Sequence, residues 1–203
     1  MAIVYVETNF ILEMGYRQAE NEFCERIAEL AENGLIALVM PSFSIGESYE
    51  TSHRREKERD SFVNDLQARQ AQLNYSSEIG RLEIHIKTVT DILRGSVVTD
   101  FNRLNLVLAR LAYIAEFISL NPSSLILAQE YQTSLRMEPQ DSLILSSVMS
   151  HLSETNPSEC CFLNKNVKDF GQPRVRNELR ERNCRIIYSF EQGLNYISST
   201  LGS

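Results

Sequence analysis

Glu7, Glu47, Asp141 and Asp169 are the side chains of this sequence whose types and placement could do chemistry together. Glu7 opens Glu7-Thr8-Asn9 and Glu47 closes Pro41-Ser42-Phe43-Ser44-Ile45-Gly46-Glu47. Asp141 closes Glu138-Pro139-Gln140-Asp141, and Asp169 lies in Asn164-Lys165-Asn166-Val167-Lys168-Asp169-Phe170. Each segment puts an acidic or amide side chain at the C-terminal end of an apolar, strand-like run or in the first turns of a helix. Carboxylates at the C-terminal rim of a parallel sheet converge on one crevice, where hard divalent cations find oxygen ligands and phosphates can follow.

The elements that must position these groups are readable from periodicity. Residues 2–6 form an unbroken apolar run, mostly β-branched or aromatic, which suits a strand buried on both faces; Thr8 or Asn9 can cap the helix after it. Phe23, Ile27, Ala28, Leu30 and Ala31 recur at helical spacing over 19–33, with Asn33-Gly34 as the stop, and a strand follows over 35–40. Pro41 and Ser42 then open a helix that carries Glu47 and runs to about Leu73. Asn74-Tyr75-Ser76-Ser77 breaks the pattern, an amphipathic period resumes from Ile79 to Gly95, and a further helix is predicted over 100–120. Asn121-Pro122 caps the next helix. A helix over 139–151, strands at 160–163 and 185–188, and a closing helix over 190–198 complete the chain. Strands near both ends with helices between them predict an α/β fold with a central parallel sheet flanked by helices. The whole of 1–203 reads as a single domain with a helical insertion at about 75–135.

Composition agrees with one globular domain: 203 residues, 43% apolar and 23% charged. The net charge of -7 is opposite in sign to that of an ordinary nucleic-acid binder. Two runs gather basic residues locally, His53 to Arg59 and Arg174 to Arg182, and both read first as solvated helix faces with opposite charges three or four residues apart. Cys24, Cys160, Cys161 and Cys184 have neither metal-ligand spacing nor a disulfide framework, and read as reduced core thiols. His53, His85 and His151 have no ligand-like spacing. Neither a Gly-rich phosphate loop nor a Gly-x-Ser-x-Gly turn is present, which disfavours nucleotide cofactors and serine hydrolase chemistry. The N-terminus lacks the basic lead and long apolar core of a signal peptide, and no run approaches transmembrane length, so a cytoplasmic protein with no membrane partner is expected.

With these segments in this order, the chain resembles the PIN-domain family of nucleases. Its pattern is a strand ending in an acid followed by Thr/Ser and Asn/Ser, a helical Glu, a helical Asp, and a strand leading into an Asn-rich turn that ends in acidic-Phe. The matching residues here are Glu7-Thr8-Asn9, Glu47, Asp141 and Asn164 to Phe170. The resemblance implies a three-layer PIN-like fold and a ribonuclease that hydrolyses RNA phosphodiester bonds with Mg²⁺ or Mn²⁺. Glu7, Glu47, Asp141 and Asp169 would be its metal-binding and catalytic carboxylates. Thr8 and Asn9 would orient ligands or waters, and Asn164 and Asn166 would order the last loop. A toxin-like role implies an antitoxin-like protein as candidate partner, with a second copy of the chain as another. Two positions depart from the family pattern: Glu7 stands where Asp is usual, and Asn166 where many members have a fourth acid. They keep open the alternative of a decayed PIN-fold scaffold that binds RNA or protein without turnover.

Overall fold

The computed structural model describes residues 2–73 and 80–202. Five parallel strands form one sheet: β1 (Ala2–Tyr5), β2 (Ile36–Pro41), β3 (Ala115–Ile118), β4 (Cys160–Leu163) and β5 (Cys184–Ile187), in the spatial order β3-β2-β1-β4-β5. The central strand β1 pairs Val4 with Leu38 of β2 and with Cys161 of β4. Helices α1 (Thr8–Gly15), α2 (Asn21–Glu32), α3 (Phe43–Leu73), α4 (Gly80–Ile114), α5 (Pro122–Leu135), α6 (Pro139–Thr155), α7 (Val167–Phe170), α8 (Pro173–Arg180) and α9 (Phe190–Leu201) connect and flank the strands.

Side chains alternate across a strand, and that alternation divides the interior into two cores. Val4, Val6, Leu38, Met40, Cys161 and Leu163 face a cluster that includes Phe10, Ile11, Met14, Ile27, Leu104, Leu111 and Phe190, contributed by α1, α2, α4 and α9. Tyr5, Val39, Cys160 and Phe162 face the other cluster, which holds Tyr131, Ile144, Leu145, Val148, Phe170, Val175 and Leu179 from α5 to α8. The result is the expected three-layer α/β architecture. All four cysteines are buried and unpaired. His53 and His85 are exposed, whereas His151 is buried and its Nδ1 hydrogen-bonds with the Tyr5 hydroxyl at 2.8 Å.

The strands at both ends of the chain lie within two residues of their predicted positions, but the middle differs. The helix expected over 100–120 stops at Ile114, and Ala115–Ile118 becomes β3, an edge strand paired with β2. Its residues continue the apolar stripe of the helix before it, so periodicity carries no break there; pairing with β2 decides the conformation. The two helices expected on either side of Gly95 are one, α4. The break at Asn74 to Ser77 and the helix start at Ile79 lie outside the described residues.

Long-range contacts fix α4 to α1 and α2. Arg110 bonds Glu32 of α2 at 2.7 Å and also pairs with Glu25. Leu104, fully buried, packs close to Gly15 at the end of α1. Leu104→Ala therefore leaves a cavity between α1 and α4 and is expected to cost about 2–5 kcal/mol in urea unfolding. A loss below about 1 kcal/mol would show that this contact does not hold α4 to α1.

Candidate active site

Every element that carries a candidate carboxylate ends or begins at the C-terminal rim of the sheet. β1 runs through Val6 to Glu7, which is the N-cap of α1: Glu7 Oε2 accepts from the Asn9 backbone N–H at 2.9 Å, and Oε1 accepts from Asn9 Nδ2 at 2.8 Å. The expectation that Thr8 or Asn9 would be the cap is corrected here. A carboxylate whose side chain reaches back over the first turn satisfies the orphan donors itself. Thr8 instead donates its hydroxyl to Glu47 Oε2, joining α1 to α3. Ser44, one turn before Glu47 on the same side of α3, has a fully buried hydroxyl with no partner among the described residues.

The other half of the site comes from β4 and α6. Asn164 follows β4, its N–H donating to the Ile187 carbonyl at 3.0 Å, and its side chain accepts from the Asn166 N–H at 2.6 Å. Asn166 caps α7 by accepting from the Asp169 N–H at 3.2 Å. Its amide Nδ2 donates to Asp141 Oδ2 at 3.0 Å and to Asp169 Oδ2 at 3.1 Å. Asp141 reaches this point from the first turn of α6, where Pro139 opens the helix. The two pairs, Glu7 with Glu47 and Asp141 with Asp169, thus share one rim, and Asn164 and Asn166 order the last loop.

Burial, with smaller contributions from neighbouring carboxylates, raises the proton affinity of Glu7, Asp141 and Glu47. Glu7 is 3% exposed, and burial pushes its pKa up to about 8, against the two Asn9 bonds and with help from Glu47 and Asp141. Burial also raises Asp141, to about 6; the Asn166 bond opposes the rise and the nearby Asp169 and Glu47 add to it. Glu47 is raised as well, by burial and then Glu50, while the Thr8 bond and Arg54 pull it down.

Lys165 was part of the sequence pattern without a role, and the structure supplies one. Its Nζ donates to Glu13 Oε1 at 2.7 Å and pairs with Glu20 Oε2 at 3.0 Å, pinning the loop between Asn164 and Asn166 to α1 and the turn after it. Those hydrogen bonds hold Lys165 above its usual pKa against the cost of burial. Glu13 and Glu20 lie far from Lys165 in sequence, and no local spacing signals the contact.

The family model described as PIN domain matches residues 4–170. The chain belongs to the PIN-domain family. That span contains all four rim carboxylates, and PIN domains are generally nucleases that typically use divalent metals. No curated protein and no solved structure matches the chain. Among the described residues of this PIN domain, no three His, Cys, Asp or Glu side chains are grouped to hold an ion as they stand. The donor chemistry still fits a hard cation: oxygen atoms only, with the proton affinities of Glu7, Glu47 and Asp141 raised by burial and further by neighbouring carboxylates, a repulsion that a positive charge would relieve.

The raised carboxyls give this PIN domain a distinctive pH dependence. Glu7 and Asp141 bind protons more tightly in the folded protein than in the unfolded chain. Their contribution to stability is therefore full below the ordinary values of 4.5 and 3.8 and is lost as pH rises through about 6 and 8. In metal-free buffer Glu7→Gln should melt at least about 3 °C above the parent at pH 8, equivalent to roughly 1 kcal/mol or more, and near the parent at pH 4.5. A variant less stable than the parent at pH 8 would contradict the burial cost assigned to Glu7.

Proposed function

We propose that this PIN domain is a cytoplasmic Mg²⁺- or Mn²⁺-dependent endoribonuclease acting at the rim formed by Glu7, Glu47, Asp141 and Asp169. The observation that carries this reading is the assembly of those four carboxylates from four separate segments onto one end of the sheet, with Thr8 and Asn166 bridging to them. We read the chain as one domain, with the segment at about 75–135 as an insertion in it. RNA is its substrate; the toxin half of a toxin and antitoxin pair is the biological role the family suggests, with an antitoxin-like protein or a second copy as partner.

When bound, a divalent cation supplies a more acidic water and stabilises negative charge on the scissile phosphate. Glu47 and Asp141, the half-buried pair, are the carboxylates that would hold it most directly, with Glu7 behind them and Asp169 closing the far side. Thr8 fixes the Glu47 carboxylate by its hydroxyl bond, and Asn9 fixes that of Glu7. Asn166 spaces Asp141 and Asp169 with a neutral amide that donates to both. The phosphodiester is hydrolysed by in-line attack of water, leaving a 5′-phosphate on one product.

One observation favours a second reading, a PIN-fold scaffold without turnover. The Asn166 amide engages an oxygen of each aspartate, and Asn9 engages both oxygens of Glu7, so neutral donors already serve the carboxylates a cation would need. Thermal melts with Mn²⁺ separate the two. Saturating Mn²⁺ should raise Tm by several degrees, as stabilisation of about 2.7 kcal/mol at a hundredfold excess over Kd requires. Asp141→Asn should abolish the shift; no shift in the parent at millimolar metal supports the scaffold.

Turnover has its own measurement. With single-stranded and structured RNA in Mn²⁺ or Mg²⁺, Asp141→Asn and Glu47→Gln are each expected to slow cleavage by at least about 100-fold, a barrier increase of roughly 2.7 kcal/mol. Variants that cut as fast as the parent would assign the activity to a contaminant.

A further inference from the structure

A large cavity among the described residues lies away from the acidic rim. It encloses about 750 Å³ along the outer side of β5, with Pro173, Arg176, Asn177 and Arg180 of α8 on one wall and Tyr196 of α9 on the other. β5 is an edge strand. It is paired on one side only, with β4: Cys160 N–H donates to the Asn183 carbonyl and Asn164 N–H to the Ile187 carbonyl. In a parallel ladder, alternate residues face the same neighbour, so Asn183, Arg185 and Ile187 face β4 while the backbone groups of Cys184 and Ile186 face outward. Among the described residues those outward N–H and C=O groups have no protein partner.

The charge around this edge is the reverse of the protein's net charge of -7. Arg176, Arg180 and Arg185 line the cavity against one carboxylate, Glu159, which accepts a hydrogen bond from the Tyr196 hydroxyl at 2.7 Å. Arg176 and Arg180, four residues apart, share the exposed side of α8, because Val175 and Leu179 bury the other in the core. The Arg180 guanidinium donates to the neutral Asn177 side chain at 2.5 Å, and Arg185 lies over the Tyr196 ring at 5.2 Å. None of the three forms an ion pair among the described residues. Arg59, Arg103, Arg110 and Arg174 all do.

We propose that this groove binds an extended acidic segment of a partner protein by strand addition to β5. The incoming strand takes the free backbone groups of Cys184 and Ile186, and the carboxylates on its α8 side meet Arg176 and Arg180 in charge-assisted hydrogen bonds. A four-residue strand at about 3.3 Å per residue offers roughly 13 Å of edge, enough for a short segment held between the walls of α8 and α9. An open strand edge favours a peptide over nucleic acid, since only a peptide can satisfy the ladder while its side chains reach the arginines. The proposal does not depend on catalysis at the acidic rim.

The test uses the full chain and a fluorescent, end-blocked octapeptide of alternating Glu and Val, with the Gln-Val peptide as neutral control and a single-stranded uridine decamer as the phosphate probe. Anisotropy titration gives affinity, and backbone amide shifts give the place. Saturable binding of the Glu-Val peptide is expected, with shifts at Cys184 and Ile186. Arg176→Glu with Arg180→Glu should weaken it at least about tenfold, about 1.4 kcal/mol. Ile186→Pro removes one outward N–H without touching the β4 ladder and should weaken it similarly; if that variant does not fold, the arginine pair decides. Equal binding of the neutral peptide, shifts confined to another surface, no saturable peptide binding, or occupation of the groove by the uridine decamer alone would each overturn the proposal.

Discussion

Carboxylates crowded at a sheet rim repel one another and lose hydration together, and a fold that gathers four of them must offset both costs. In this PIN domain the offset comes from neutral donors. Asn9 serves Glu7, Thr8 serves Glu47, and Asn166 serves Asp141 and Asp169 at once. What these bonds leave uncompensated is taken up as protons, so Glu7 and Asp141 hold theirs at a pH where an exposed carboxyl would not. The same balance makes the rim attractive to a cation and lets it persist without one.

That arrangement depends on the sheet. With β1 central and β2 and β4 beside it in parallel, the chain leaves all three strands at the same end, and the residues that follow them meet without long excursions. The two cores on opposite faces hold this register, because a one-residue slip would exchange Tyr5 with Val4 or Val6 and mismatch both layers. The last loop has little local structure beyond the four-residue α7. Lys165, held by Glu13 and Glu20, connects it to α1, the helix that Glu7 caps. Both halves of the rim are therefore referenced to one short helix.

Net charge describes neither surface well. The acidic rim and the arginine-lined edge of β5 are carried by different elements, and the overall value of -7 averages over both. Charges within one run also have different fates. Arg174 of α8 is paired with Glu178 and Glu130, as a solvated helix face would be, whereas Arg176 and Arg180 on the same helix face open space.

Several features were legible in the sequence because they are properties of neighbours along the chain. Short apolar runs marked β1, β2 and β4, Arg185 to Tyr188 read as the strand that is β5, Asn121-Pro122 marked the cap of α5, and the order of acidic segments pointed to the family and to one rim. β3 was not legible, since Ala115 to Ile118 extend a helical stripe and become a strand only by pairing with β2. The capping role of Glu7, the bridge that Asn166 makes and the anchoring of Lys165 were equally hidden, as each joins groups whose proximity no local period encodes. Sequence by itself determined which residues could form strands, helices and a cluster of acids. Tertiary structure alone decided which carboxyls keep their protons and which arginines stay unpaired, because electrostatic and hydrogen-bond energies act over a few ångströms of space, whatever the separation along the chain.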